Sequence, residues 1–185
     1  MKLSPLSIPG AFELRGEPRG DDRGYFLRTF DVAIAAKAGL SATFVQENQS
    51  LSRRRHTIRG LHFQAPPHAE TKIVRVIRGA VLDVLVDLRI GSPTFGKFEM
   101  VELSDQNFVQ LWIPRGCAHG FCTLCDDVIM AYKVDASYDP TSEGGILWSD
   151  PTLQIPWPTR EPILSDRDAH LGCFKDFSSP FRYEA

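Results

Sequence analysis

KIVRVIRGAVLDVLVDL, residues 72–88, reads as two strands joined at a glycine. Lys72–Ile77 and Ala80–Leu88 are β-branched and aliphatic, the residue types that suit a pleated surface, and Gly79 between them suits a tight turn. The pattern repeats on either side. Phe98–Leu103 sets Phe98, Met100, Val101 and Leu103 against Glu99 and Glu102, Val109–Ile113 stops at Pro114, and Val128–Val134 follows the apolar run Cys117–Cys125. Phe12–Leu14, Tyr25–Phe30, Phe44–Asn48 and Ile58–Gln64 are shorter candidates. Many short strands punctuated by turn residues predict an all-β sandwich or barrel. Helix signals are few: Asp31–Ala38, alanine-rich and stopped by Gly39, and a short segment starting at Ser165. Pro140–Pro162, rich in Pro and Trp, reads as a long ordered connection wrapped around the barrel.

The 185 residues fit one domain with a sizeable core, and 43% hydrophobic with 24% charged residues excludes disorder and a disulfide-stapled mini-protein. With 21 basic and 23 acidic residues the chain lacks the basic footprint of a nucleic-acid or anionic-membrane binder. Arg53-Arg54-Arg55 is a solvated turn or a phosphate contact. No apolar run reaches the roughly 20 residues of a membrane helix, and Ser and Pro interrupt the first ten residues where a signal peptide needs an apolar stretch. Four cysteines without framework spacing predict reduced thiols and a cytoplasmic protein, with the Cys122/Cys125 pair read as small core residues.

Two glycine-bounded segments carry the chemistry: Arg59-Gly60-Leu61-His62-Phe63-Gln64, leading on to Gly79, and Pro114-Arg115-Gly116-Cys117-Ala118-His119-Gly120. Their order resembles the two motifs of cupin jelly rolls, which implies a double-stranded β-helix with a few short peripheral helices. Metal-binding cupins hold an ion with two histidines and a glutamate of the first motif and a histidine of the second. In this chain Gln64 stands at the second histidine position, and Lys72, with six residues between it and Gly79, stands at the glutamate position. An ammonium repels a divalent cation and offers it no lone pair. The expectation is therefore no metal and no cofactor. Two imidazoles and a lysine suit proton abstraction beside a carbonyl, with histidine as base and a cation at the developing enolate oxygen.

The chain also resembles the dTDP-4-dehydrorhamnose 3,5-epimerase family over roughly residues 10–170. The matching stretches are Asp22-Arg23-Gly24-Tyr25-Phe26, Gln46-Glu47-Asn48-Gln49-Ser50, Arg59–Gln64, Val86-Asp87-Leu88-Arg89, Ser92-Pro93-Thr94-Phe95-Gly96, Ile113–Phe121, Tyr132-Lys133, and Trp148-Ser149-Asp150-Pro151 running on to Trp157-Pro158. The resemblance implies an epimerase that inverts C-3, C-5 or both of a nucleotide-linked 4-keto-6-deoxy sugar. His62 is then the base, Asp168 the carboxylate that orients it, Tyr132 the acid on the opposite face, and Lys72 the cation at the ketone oxygen with His119 close by. Arg59, Gln46 and Asn48 line the sugar and diphosphate site. Arg23 and Phe26 reach the nucleotide in a neighbouring subunit, because the family forms homodimers by exchanging N-terminal strands, here within about residues 1–30.

Blander readings stand beside these. Asp168, three residues after Ser165, fits a capping box; Tyr132 in a strand fits a core residue with a satisfied hydroxyl; Lys72 fits a solvated edge charge. His56, His68 and His170 read as surface histidines. One position departs from the family pattern: Arg28 stands where an acidic residue is usual near the base. A guanidinium offers only donors, which raises a CDP- or GDP-linked substrate as an alternative. A catalytically idle sugar-nucleotide-binding jelly roll is the alternative of another class.

Overall fold

The computed structural model describes residues 1–40 and 43–184. In chain order the strands are β1 (Lys2–Pro5), β2 (Phe12–Arg15), β3 (Arg19–Asp21), β4 (Gly24–Phe26), β5 (Gln46–Ser52), β6 (Ile58–Gln64), β7 (Lys72–Arg78), β8 (Ala80–Asp87), β9 (Phe98–Ser104), β10 (Val109–Ile113), β11 (Cys117–Thr123), β12 (Val128–Val134) and β13 (Glu143–Gly145). Two short helices, α1 (Val32–Lys37) and α2 (Asp166–Ala169), and one turn of 3-10 helix lie outside the sheets. One sheet has the order β1-β2-β10-β7-β12-β5, the other β13-β6-β11-β8-β9, and β3-β4 form a separate hairpin.

The two large sheets pack face to face as a double-stranded β-helix jelly roll. Val74 and Val76 of β7, Leu111 and Ile113 of β10 and Met130 of β12 meet Val81 and Leu85 of β8, Leu103 of β9 and Phe121 of β11. Period-two alternation decides what each strand contributes. In β8, Val81 and Leu85 point into this interior, whereas Val84 and Val86 point outward. The outward face is not wet: Ile146, Leu153, Ile155 and Phe181 cover it. A strand buried on both faces reads as a continuous apolar run, which is how residues 80–88 appear in the sequence. The outer face of the other sheet, with Ile73 and Trp112, is covered by Ala35 and Leu40 in and after α1. Asp31 caps α1 by accepting from the N–H groups of Ala33 and Ile34 at 3.0 and 3.2 Å.

The Val86–Arg89 and Ser92–Gly96 motifs form one buried knot. Asp87 is fully buried and accepts from Arg89 Nε (2.8 Å), Arg89 Nη2 (2.9 Å), Ser92 Oγ (2.5 Å) and Thr94 Oγ1 (2.7 Å). With every lone pair of this buried ion occupied, the motif closes the β8–β9 connection.

Some boundaries differ from the sequence reading. Only Tyr25 and Phe26 of the expected Tyr25–Phe30 strand join a ladder, in β4; further on, the Thr29 carbonyl accepts from Gln110 Nε2 at 2.7 Å instead. The expected Phe44–Asn48 strand is displaced to Gln46–Ser52, where it pairs with β12. β1 and β13 carry no alternation and exist because neighbouring strands offer them an edge.

Candidate active site

β6 and β11 run antiparallel with His62 directly opposite His119. Two glycines allow their approach. Gly60 has φ +120°, and a Cβ there would lie 2.5 Å from Gly120 Cα and 2.7 Å from the His119 carbonyl oxygen. The Arg-Gly-x-His and His-Gly motifs thus combine a steric requirement with a chemical one. At the second histidine position of the cupin motif, Gln64 is 4% exposed and tied into the loops. Its Nε2 donates to the carbonyls of His68 and Ser137, and its Oε1 accepts from Asp139 N–H. Lys72 Nζ lies 2.8 Å from Glu70 Oε1. An amide engaged elsewhere and an ammonium do not fit a divalent ion, and among the described residues no group of three or more His, Cys, Asp or Glu is placed to hold one.

A cavity of about 270 Å³ opens between the two sheets. Arg59, His62, His119 and Phe121 line it from β6 and β11, Ser50, Lys72, Met130 and Tyr132 from the opposing sheet, and Arg167 and Asp168 from α2. Of the predicted residues, His62, Lys72, His119, Tyr132, Asp168 and Arg59 converge here.

His62 Nε2 lies 2.6 Å from Asp168 Oδ1, with the imidazole 28% and the carboxylate 5% exposed. With Nε2–H assigned to the carboxylate, Nδ1 keeps the free lone pair. Burial pulls Asp168 upward, but the hydrogen bond and charge of His62, with the N–H of Gly60, outweigh it and hold the carboxyl below its ordinary range. The capping question resolves in the same place: Ser165 caps α2 by accepting from Asp168 N–H at 3.1 Å, so the Asp168 side chain is free for His62.

His119 has its own carboxylate. Its Nε2 lies 2.9 and 3.0 Å from the two oxygens of Asp83, a fully buried residue of β8. Burial pushes Asp83 up, against the charge and hydrogen bond of His119 and the charge of Lys72. Tyr132 is also raised, by burial first and then by Glu70, which favours the protonated phenol. Its ring centroid lies 6.0 Å from Lys72 Nζ.

The remaining predicted residues lie outside the cavity. Gln46 and Asn48 share the inward face of β5 with Ser50, but only Ser50 reaches the cavity, and Gln46 Oε1 accepts from Tyr138 N–H at 2.7 Å. Arg23 and Phe26 sit on the exposed β3–β4 hairpin, where Arg23 pairs with Asp21. Arg28 Nη1 pairs with Asp31 Oδ2 at 2.9 Å. The contact uses one guanidinium nitrogen of a side chain that is 63% exposed and ties Arg28 to the residue that caps α1. Cys122 is buried, its thiol pushed up to about 11 by burial, and neither it nor Cys125 forms a disulfide.

Sequence reasoning missed Asp83, Glu70, Glu143 and Arg167. Arg167 Nη1 lies 2.6 Å from Glu143 Oε2, which also accepts from the Tyr138 hydroxyl at 2.8 Å. Asp83 carried a usable signal: it is a charge set between Val81 and Leu85 on the inward face of an apolar strand.

Residues 5–176 match the family model described as dTDP-4-dehydrorhamnose 3,5-epimerase. A dTDP-4-dehydrorhamnose 3,5-epimerase of Shigella flexneri is 44% identical over 177 residues, covering 95% of this chain and 97% of the relative. A dTDP-4-dehydrorhamnose 3-epimerase of Streptomyces niveus is 43% identical over 169 residues, covering 91% and 81%. The crystal structure of a Legionella pneumophila dTDP-6-deoxy-D-glucose-3,5-epimerase in complex with dTDP-4-keto-L-rhamnose superimposes with a TM-score of 0.93 at 37% identity, covering 100% of this chain and 99% of that one. Matched over nearly its whole length in sequence and in fold, this chain belongs to the dTDP-4-dehydrorhamnose 3,5-epimerase family.

Proposed function

We propose that the chain converts dTDP-4-dehydro-6-deoxyglucose to dTDP-4-dehydrorhamnose by removing and returning protons at C-3 and C-5. The observation that carries this reading is the division of the cavity between two sheets: His62 with Asp168 on one wall, Tyr132 on the other. Inversion needs a proton taken from one face of the sugar and delivered to the other, so base and acid are different groups.

His62 Nδ1 takes the proton from the carbon next to the C-4 ketone, and the C–H electron pair becomes the enolate double bond. The negative charge moves to the ketone oxygen beside Lys72 and His119, where loss of one such stabiliser raises the barrier by about 2.7–4 kcal/mol. Tyr132 donates its phenolic proton to the opposite face of the carbon, and solvent resets imidazolium and phenolate. Arg59 and Arg167 at the cavity suit the diphosphate. All of these roles are carried by side chains. The relatives' names favour dTDP over CDP or GDP.

Dimerisation through the N-terminal arm is part of the same reading. All six residues of β3 and β4 are exposed, Tyr25 at 61% and Phe26 at 68%, and apolar side chains of this kind suit cover by a second copy. Four free cysteines, two of them buried, suit a reducing cytoplasm.

The test is deuterium uptake from D₂O into dTDP-4-dehydro-6-deoxyglucose, followed at C-3 and C-5 by NMR. Uptake with inversion at both carbons supports the reading, inversion at C-3 alone moves the chain to the 3-epimerases, and binding without uptake makes it an idle sugar-nucleotide binder. Tyr132→Phe should retain part of the uptake while suppressing net inversion.

A further inference from the structure

We propose that Glu70 is a positioning residue of this site: its ion pair fixes the Lys72 ammonium inside the cavity and keeps a negative charge beside the Tyr132 phenol. The proposal rests on the reading of the cavity as an epimerase site, and its test is built to fail separately from that reading.

Alternation places the residues. Tyr132 lies opposite Val74 across the β7–β12 ladder, so their side chains share the inward face. Two residues back along the chain is Lys72, and two further back is Glu70. Thr71, between them, turns the other way and is buried, and its N–H donates to Asp135 Oδ1 at 2.7 Å. That bond clamps the segment, so the orientation of Glu70 and Lys72 is held by backbone. Glu70 Oε1 and Lys72 Nζ meet at 2.8 Å with side chains only 10% and 14% exposed. Shielded to this degree, the pair escapes most of the solvent screening that weakens a surface bridge.

Unlike Lys72, Glu70 does not line the cavity. It acts through its neighbours. An unpaired lysine has four rotatable bonds and many positions; one held at a carboxylate has few, and a cation serves an enolate oxygen only at a fixed place. The charged and titratable groups that share the cavity with the phenol are Lys72 from its own sheet, Arg59, His62 and His119 from β6 and β11, and Arg167 and Asp168 from α2, while Glu70 and Glu143 act on it from outside the lining. After burial, Glu70 is the strongest influence holding the phenol protonated; Glu143 adds to it and Arg59 opposes it.

Glu70→Gln keeps the size of the side chain and its ability to accept from Lys72, and removes only the charge. The first measurement is ultraviolet titration of the phenolate in wild type and Glu70→Gln, each corrected by its Tyr132→Phe counterpart. It needs no substrate, so it decides the proposal even if wild type turns over no sugar nucleotide. Tyr132 is expected to ionise at lower pH in Glu70→Gln. The second measurement is the pH profile of kcat: the alkaline limb should move down with the phenol, so that kcat falls about fivefold more at alkaline than at neutral pH while KM changes less. Glu70→Asp should recover part of the loss. Superimposable phenolate titrations overturn the proposal. So does an alkaline limb that stays in place while the phenol moves, or an equal loss of kcat at every pH accompanied by a lowered Tm, which makes Glu70 a strut of the fold.

Discussion

The cavity contains two histidine–aspartate pairs that look alike as chemistry and differ as environments. His62 meets Asp168 at 2.6 Å, and His119 meets Asp83 at 2.9 and 3.0 Å, each through Nε2. The first pair joins residues 106 apart in sequence, the second residues 36 apart. His62 is 28% exposed and His119 11%. The carboxyls respond in opposite directions: His62 and the Gly60 N–H hold Asp168 down, whereas full burial pushes Asp83 up, with His119 as its one hydrogen-bond partner among the described residues. A dyad's residue types therefore do not set its task. A carboxylate partner held ionised by hydrogen bonds and a more open imidazole suit a base that must accept and release protons; a dry carboxyl behind a shielded imidazole suits a donor that keeps one position.

The largest expected effect comes from removing the proposed base. His62→Asn should reduce isotope exchange at every exchangeable carbon by about 10³-fold or more, and Asp168→Asn by somewhat less, because the imidazole survives with its orientation lost. Deuterium uptake by NMR checks both, and an Asp168→Asn enzyme no slower than Asp83→Asn would break the distinction between the pairs.

A smaller loss is expected at the second pair. Asp83→Asn should lower kcat by about 10²-fold through a displaced donor at the enolate oxygen. Thermal stability should hold or rise, since a neutral amide replaces a carboxyl whose burial is costly. Steady-state kinetics beside thermal melts separate the two effects; a sharp fall in Tm would make Asp83 a structural residue.

The smallest effect is the pH dependence of stability. Asp168 is depressed in the folded chain, so its contribution is present above its unfolded value and is lost as pH falls through the folded value. Asp83 is raised, so its contribution is greatest below its unfolded value and declines as pH rises through the folded one. Melts across the acid range should show Asp168→Asn losing less stability than wild type on acidification, by about 2–4 °C in Tm, and Asp83→Asn losing more, because it lacks the gain that Asp83 makes on protonation. Parallel curves for all three proteins would show that neither pair is linked to folding.

Much of this molecule is local and was legible as such. Apolar runs at period two, with Gly79 and Pro114 as punctuation, specify the jelly-roll strands because alternation is a property of the backbone itself. Residues 59–64 and 114–120 identify the wall with the two histidines, since a glycine beside each is what lets the strands approach. Lys72 at the glutamate position spoke against a metal for a reason of charge alone. Strand boundaries near residues 25–30 and 44–52 were less legible, because pairing partners rather than propensity decide where an edge strand stops.

The pairing of Asp168 with His62 came from the family resemblance and not from local pattern; the other partners were decided by the tertiary structure. Asp83 belongs to His119 and Glu70 to Lys72; Arg28 turns to the α1 cap; Gln46 and Asn48 stop short of the cavity. Hydrogen bonds and ion pairs depend on separation in space and on what excludes water around them, and 106 residues of intervening chain carry no local trace of a 2.6 Å contact.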